Sequence, residues 1–386
     1  MKTIKSLIPN PVFKYNFPYN KNEIAFFDIE TTGLSPKVSS LYLIGLMYFD
    51  DETDSWTLIQ WFADNYKSES EILNSFLSLL SKYKHLYHFN GKTFDIPYIR
   101  NKCLKHNITI TEEVDKILNE STDILAYIRP LKKLLALEKA NQTSLERWLG
   151  VIRDDTYDGG QLISVYSEYM QKKIISPNES TRLEEILLLH NHDDIAQMLN
   201  VCSIISYYDF LTSENEISIT SALIDENAML QIKFDIDYTF PKKVIIKKFF
   251  PESKSGLLTG IYATLTLEGC SAILSVPVLE GTLMHFLKDY KNYYYMPSKD
   301  TAVHKSVISK DEKSLCHKAT ASTCYIKKEG IFIPSLTLRN IDSDTNIFYL
   351  THKDKLCFYE LPSMPFDKND TLFSKYVLLQ VSAIIN

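Results

Sequence analysis

The hydrophobic pattern of this chain changes character once, near the polar stretch TSENEISITS at residues 212–221, and that change restricts the fold more than any composition figure. Before it, short apolar runs alternate with stretches of helical spacing. After it, the period of a strand dominates. At 386 residues the chain is too long for one ordinary domain and about right for two. The expected division is residues 1–213 and residues 214–386.

In the first half, Glu23 to Ile29 is an apolar run ending in acids, read as a first, buried strand that delivers a site at its C-terminal end. Leu41–Phe49 and Trp56–Trp61 read as the next two strands, joined by the turn-like DDETDS. Ile72, Phe76, Leu79 and Leu80 give Ser68–Tyr83 helical spacing. Leu86–Phe89 is a short strand broken by Asn90-Gly91, and Asp95–His106 reads as a helix. From 121 to 210 the pattern is mostly helical and closes on a long helix near Thr181–Tyr208. Three strands, a helix, a strand and a run of helices imply an α/β domain with a ribonuclease-H-like mixed sheet. The second half reads as β-rich α+β. Strands are expected at Leu230–Phe240, Leu257–Leu267 and Ser271–Val278, a helical stretch over about Gly281–Tyr290, and further strands at 321–333 and 346–359.

Charge and cysteine usage exclude several classes. Residues 1–213 hold 22 Lys+Arg against 28 Asp+Glu, and residues 214–386 hold 20 of each. Nothing here is a basic protein, so nucleic-acid contact must come from local patches or from divalent cations that reverse the sign of an acidic face. No apolar run approaches the ~20 residues of a membrane span. The opening MKTIKSLIPNPVFKYNF has no apolar core of signal-peptide length, so a cytosolic protein with no membrane partner is expected. Six cysteines are scattered with no CxxC pair, which fits reduced thiols.

Three acidic motifs carry the chemistry. In Phe27-Asp28-Ile29-Glu30-Thr31-Thr32-Gly33-Leu34 the two acids stand at i and i+2, on one face of a strand. Like charges this close are costly unless cations neutralise them; the bland alternative is a solvated strand end. In Asn90-Gly91-Lys92-Thr93-Phe94-Asp95-Ile96-Pro97, Asp95 fits a helix N-cap as readily as a metal site. In His190-Asn191-His192-Asp193-Asp194, His190 and Asp194 are i and i+4 on one helix face; alone, two acids in a helix are a solvated face.

Taken together and in this order, the motifs resemble the DEDD (DnaQ-like) 3′–5′ exonuclease superfamily. They look most like its bacterial YprB-type ribonuclease-H-like domain and, more distantly, the proofreading domain of B-family DNA polymerases. The likeness covers about residues 22–210, with Ser144–Gly150, Arg153-Asp154-Asp155 and Gly159-Gly160 as further matching segments. The resemblance implies that Asp28, Glu30, Asp95 and Asp194 hold two Mg²⁺ or Mn²⁺ ions. It puts His190 where a general base would sit, with the spacing of the tyrosine type. Asp193 is an alternative fourth acid and His192 an alternative base. It lays the backbone of Thr31, Thr32, Gly33 and Leu34 against a terminal nucleotide, with Asn90 and Thr93 as weaker substrate contacts.

Hydrolysis of a phosphodiester needs an activated water and a stabiliser for charge on the leaving oxygen, and two hard cations on carboxylates supply both. The implied partner is the 3′ end of single-stranded DNA or RNA. In the second half, Lys242-Lys243 and Lys247-Lys248, with Tyr293–Tyr295 and Lys305, could touch nucleic acid, although an amphipathic strand accounts for them as well. The competing function is a non-catalytic nucleic-acid-binding or scaffolding protein that keeps the exonuclease fold.

Overall fold

The computed structural model describes residues 1–214, 216–338, 341, 345–361 and 371–385. They form two compact units: Met1–Ser213 with Tyr238–Pro241, and Glu214–Asp237 with Lys242–Asn386.

The first unit is α/β. Its strands are Lys2–Ile8 (β1), Ile24–Thr31 (β2), Leu41–Asp50 (β3), Ser55–Phe62 (β4), His85–His88 (β5) and Thr122–Asp123 (β6). They form one mixed sheet of six strands in the order β1-β4-β3-β2-β5-β6. β1 to β4 pair antiparallel, whereas β2, β5 and β6 run parallel. The strand expected to come first is therefore the second. β1 escapes the sequence pattern because it is an edge strand with Ile8 as its one buried residue.

The helices are Glu69–Leu80 (α1), Asp95–Lys105 (α2), Glu112–Asn119 (α3), Ile124–Ile128 (α4), Gln142–Leu149 (α5), Gly159–Ile175 (α6), Pro177–Cys202 (α7) and Ile205–Thr212 (α8). The long helix expected at Thr181–Tyr208 starts one turn earlier, with Pro177 in its first turn, and breaks after Cys202. Alternation along β2 sends Phe27 towards Phe76 of α1, with ring centroids 5.4 Å apart. It sends Asp28 and Glu30 to the opposite face, where α7 lies.

The second unit is β-rich. One sheet joins Ser218–Ile224 (β7), Met229–Phe249 (β8) and Tyr262–Pro277 (β9). A second joins Leu279–Phe286 (β10), Tyr325–Ser335 (β14) and Cys357–Glu360 (β15). A third joins Tyr293–Met296 (β11), Thr301–His304 (β12) and His317–Lys318 (β13). Two short segments complete it: Lys310–Lys313 (α9) and the C-terminal helix Thr371–Ile385 (α10). Two expectations fail here. The helical stretch expected at Gly281–Tyr290 is β10, paired antiparallel with β14 from Leu279↔Phe332 to Phe286↔Tyr325. The strands expected at Leu257–Leu267 and Ser271–Val278 are one strand, β9, which passes through Gly269 at φ 58°.

Candidate active site

Asp28 pairs across the sheet with Gly45, and Gly45 with Gln60, so the three stand in one row under α7. Asn191 of α7 spans that row. Its Nδ2 donates to Asp28 Oδ2 at 3.1 Å, and its Oδ1 accepts from Gln60 Nε2 at 3.0 Å. A Cβ at Gly45 would stand 2.4 Å from Asn191 Oδ1 and 2.2 Å from Ile195 Cδ1, so glycine is what lets the helix lie this close. His190, next to Asn191, and Asp194, one turn on from His190, then lie over the end of β2. Just past Glu30 the β2–β3 register shifts, with Tyr42 of β3 left between the partners of Glu30 and Thr31.

Asp95 opens α2. It is the first helical residue and not its N-cap; Phe94 holds that place and makes no side-chain cap. The capping alternative for Asp95 thus fails. Its carboxylate, 5% exposed, accepts instead from Ile29 N on β2 at 3.3 Å. The acids of β2, α2 and α7 converge on a cleft of about 560 Å³, lined among others by Asp28, Glu30, Asp95, Arg153, His190 and Asp194. Burial, followed by the charges of Asp95 and Glu30, holds Asp28 well above the usual carboxylate range. Burial and the charges of Asp194 and Asp95 do the same to Glu30. Burial pushes Asp95 up to about 7 against two backbone hydrogen bonds that pull it down.

His190 is 6% exposed. Its Nδ1 lies 2.7 Å from Asp155 Oδ2. Its Nε2 lies 3.3 Å from Asp194 Oδ2 and 3.7 Å from Glu30 Oε1. Glu30, His190 and Asp194 each offer one ligand atom, all within 4.8 Å of one another. Asp28 and Asp95 stand beside this trio. Among the described residues no hydrogen bond reaches the Glu30 carboxylate, which is buried. A cluster of acids with raised pKa values and an unpartnered buried carboxylate has the donor chemistry of a divalent-cation site.

Two residues of the cleft wall, Arg153 and Gln142, and Glu146 behind them were not legible as site residues. Arg153 pairs with Asp194 Oδ1 and lies 3.5 Å from Glu146 Oε2. Glu146 is 1% exposed, and burial pushes its carboxyl up to about 7. Gln142 bridges them, donating to Glu146 Oε1 at 3.0 Å and to the Asp194 carbonyl at 2.5 Å. Asp193 and His192, the alternative acid and base, face elsewhere. Asp193 Oδ2 accepts from the backbone of Asp154 and Asp155 at 3.1 and 3.0 Å and so anchors the segment that carries Asp155. His192 Nδ1 sits 3.2 Å from Asp193 Oδ1.

The expected substrate contacts divide. Thr31, Gly33, Leu34 and Asn90 line the cleft, and the Leu34 side chain is largely exposed. Thr32 and Thr93 serve their loops: Thr32 Oγ1 accepts from Ser40 N at 2.8 Å, and Thr93 Oγ1 donates to the Asn90 carbonyl at 3.1 Å. Asn90 takes φ 63°, which turns the chain out of β5, and its N–H donates to Asp123 Oδ1 at 2.9 Å. α2 holds the loop after Glu30: Tyr98 Oη donates to the Gly33 carbonyl at 3.4 Å, and the Lys102 ammonium donates to the Ser39 carbonyl.

Residues 25–206, just under half of the chain, match the family model of the RNase_H superfamily. A "DNA polymerase 1" from Sulfurisphaera ohwakuensis is 30% identical over 125 residues, 32% of this chain and 13% of that protein. Among solved structures, E. coli exonuclease I in complex with a dT13 oligonucleotide is 13% identical with a TM-score of 0.30, over 57% of this chain and 54% of that one. Exonuclease I in complex with an inhibitor is 15% identical with a TM-score of 0.29, over 42% and 44%. The chain thus spans a small part of the polymerase and about half of the exonuclease. The first unit carries an RNase_H superfamily domain.

Proposed function

We propose that this RNase_H superfamily domain is a metal-dependent nuclease, and specifically a 3′–5′ exonuclease on single-stranded DNA or RNA. One observation carries the reading. Asp28, Glu30, Asp95 and Asp194 arrive from three separate elements on one cleft wall, Glu30 and Asp95 buried, Asp28 and Asp194 half-buried, with raised pKa values for the first three. Folding bears that cost because the cluster has a cationic guest. Those four acids are the residues that would hold two Mg²⁺ or Mn²⁺ ions. When bound, the ions supply an activated water and a sink for charge on the leaving oxygen.

The chain's own residues do the rest. Asn191 fixes the Asp28 carboxylate, and Arg153 occupies Asp194 Oδ1 while leaving Oδ2 turned to the cleft. The backbone of Thr31–Leu34, held by Tyr98 and Lys102, forms the wall against which a terminal nucleotide rests. The polymerase relative agrees in substrate class with this reading.

The test is the release of mononucleotides from single-stranded DNA and RNA labelled at either end, with Mn²⁺ or Mg²⁺. Loss of a 3′ label ahead of a 5′ label is expected, and Asp28→Asn should reduce it to background with the circular dichroism spectrum unchanged. Binding without turnover in the parent would leave a non-catalytic nucleic-acid-binding protein.

A further inference from the structure

We propose that His190 is itself a metal ligand, sharing one ion with Glu30 and Asp194, and that Asp155 is the positioning residue that readies the ring for it. The inference rests on the cleft being a metal site, as proposed above, but it assigns the histidine a different task from that of a general base. The ion it selects is a transition metal such as Mn²⁺, Co²⁺ or Zn²⁺ in preference to Mg²⁺.

The geometry of the ring carries the argument. An ionised carboxylate only accepts hydrogen bonds, so Nδ1, 2.7 Å from Asp155 Oδ2, is the nitrogen that bears the proton. The neutral ring then turns a lone pair on Nε2 towards two carboxylate oxygens, Asp194 Oδ2 at 3.3 Å and Glu30 Oε1 at 3.7 Å. Lone pairs facing each other repel unless something cationic lies between them. Among the described residues the one hydrogen bond of the ring is to Asp155, and neither of these two oxygens is hydrogen-bonded to Nε2. The three donor atoms lie within 4.8 Å of one another, close enough to share one ion.

The spacing suits an ion. Bonds of about 2.1 Å put neighbouring donors roughly 3.0 Å apart in an octahedron and roughly 3.4 Å apart in a tetrahedron. The two distances from Nε2 lie close to that range. His190 and Asp194 are one helical turn apart on α7, so the chelating pair is built on a rigid element. Asp194 divides its oxygens, Oδ1 to Arg153 and Oδ2 to the trio.

A carboxylate on the far nitrogen of the ring is the usual support of a ligating imidazole. Imidazole with two carboxylates suits Mn²⁺, Co²⁺ or Zn²⁺, whereas Mg²⁺ prefers an all-oxygen shell. Asp28 and Asp95 offer oxygen alone, so the two ends of the cluster differ in the metal they prefer.

The experiment uses the full chain with Mn²⁺ added below one equivalent, read by pulsed electron paramagnetic resonance. Nitrogen coupling from one imidazole is expected on the bound ion. His190→Gln should abolish that coupling and weaken Mn²⁺ binding. Asp155→Asn should weaken Mn²⁺ binding about 10–100-fold, because an amide can donate to Nδ1 and drive the proton onto Nε2. Bound Mn²⁺ without nitrogen coupling in the parent overturns the proposal and returns His190 to the role of base. So does a folded His190→Gln with the parent's Mn²⁺ affinity and no turnover. A parent that binds no divalent ion overturns this inference together with the nuclease reading. The parent spectrum decides the matter even where a variant fails to fold.

Discussion

Asp28, Glu30 and Asp95 all titrate above the usual carboxylate range, for the same reason of burial beside like charge. Metal binding must therefore displace protons that the free cluster retains near neutral pH. The sign follows: a proton competes with the ion, so apparent Mn²⁺ affinity rises with pH. Calorimetric titrations at pH 6.5 in buffers of differing ionisation enthalpy should show net proton release, and the release should shrink as the pH is raised through about 7, where Asp95 titrates. Asp95, near 7, contributes part of it, so Asp95→Asn should release fewer protons per ion. A proton count of zero at pH 6.5 would contradict the raised carboxylates. Asp28 and Glu30 stood out in the sequence at i and i+2 on a strand, and Asp194 at i and i+4 from His190 on a helix, whereas Asp95 was marked as a site residue only by the family resemblance. Asp155, Arg153 and Asn191 obey no period that marks them. Asp155 meets His190 across 35 residues, and Asn191 meets Asp28 across 163, so only the folded contact declares their roles.

At the scale of elements, the site depends on how low α7 rides over β3. Gly45→Ala puts a methyl where Ile195 and Asn191 already stand. Those side-chain ends must move or the helix must lift, and the cost expected is about 1–3 kcal/mol, the ordinary cost of overpacking. Because α7 carries His190 and Asp194, Mn²⁺ affinity should fall as well, which separates this variant from an overpacked site elsewhere in the core. Thermal melts and metal titration of the same preparation check both. A Gly45→Ala protein with unchanged Tm would mean that the helix already has room. The sequence located α1 and α2 closely because each buries one face, and β3 and β4 because they are apolar runs buried along nearly their whole length. It failed at β10, where Leu283, Met284, Phe286 and Leu287 have helical spacing by coincidence. Ladder pairing with β14 overrides that local preference.

At the scale of the molecule, every residue of the acidic cluster lies before Ser213, so we expect a fragment ending there to bind Mn²⁺ as the full chain does. It should also be less stable. Phe240, which belongs to the first unit, stacks on Tyr207 with centroids 4.8 Å apart and meets Phe210 edge-on at 5.6 Å. Removing it uncovers that aromatic face, so a lowered Tm and self-association on gel filtration are expected. A fragment without helical circular dichroism would show that the second half is needed for folding. The shift from mixed to strand-like periodicity was visible in the sequence, but the return of Tyr238–Pro241 to the first unit was not, because four residues carry no period. The placement of the cluster on β2 and α7 has one more consequence, which concerns time. Glu30 and His190 are separated by 160 residues. At roughly 5–20 residues per second, a ribosome makes them about ten to thirty seconds apart. Whatever chemistry the cluster performs, the nascent chain cannot perform it until α7 has followed β2 out of the ribosome.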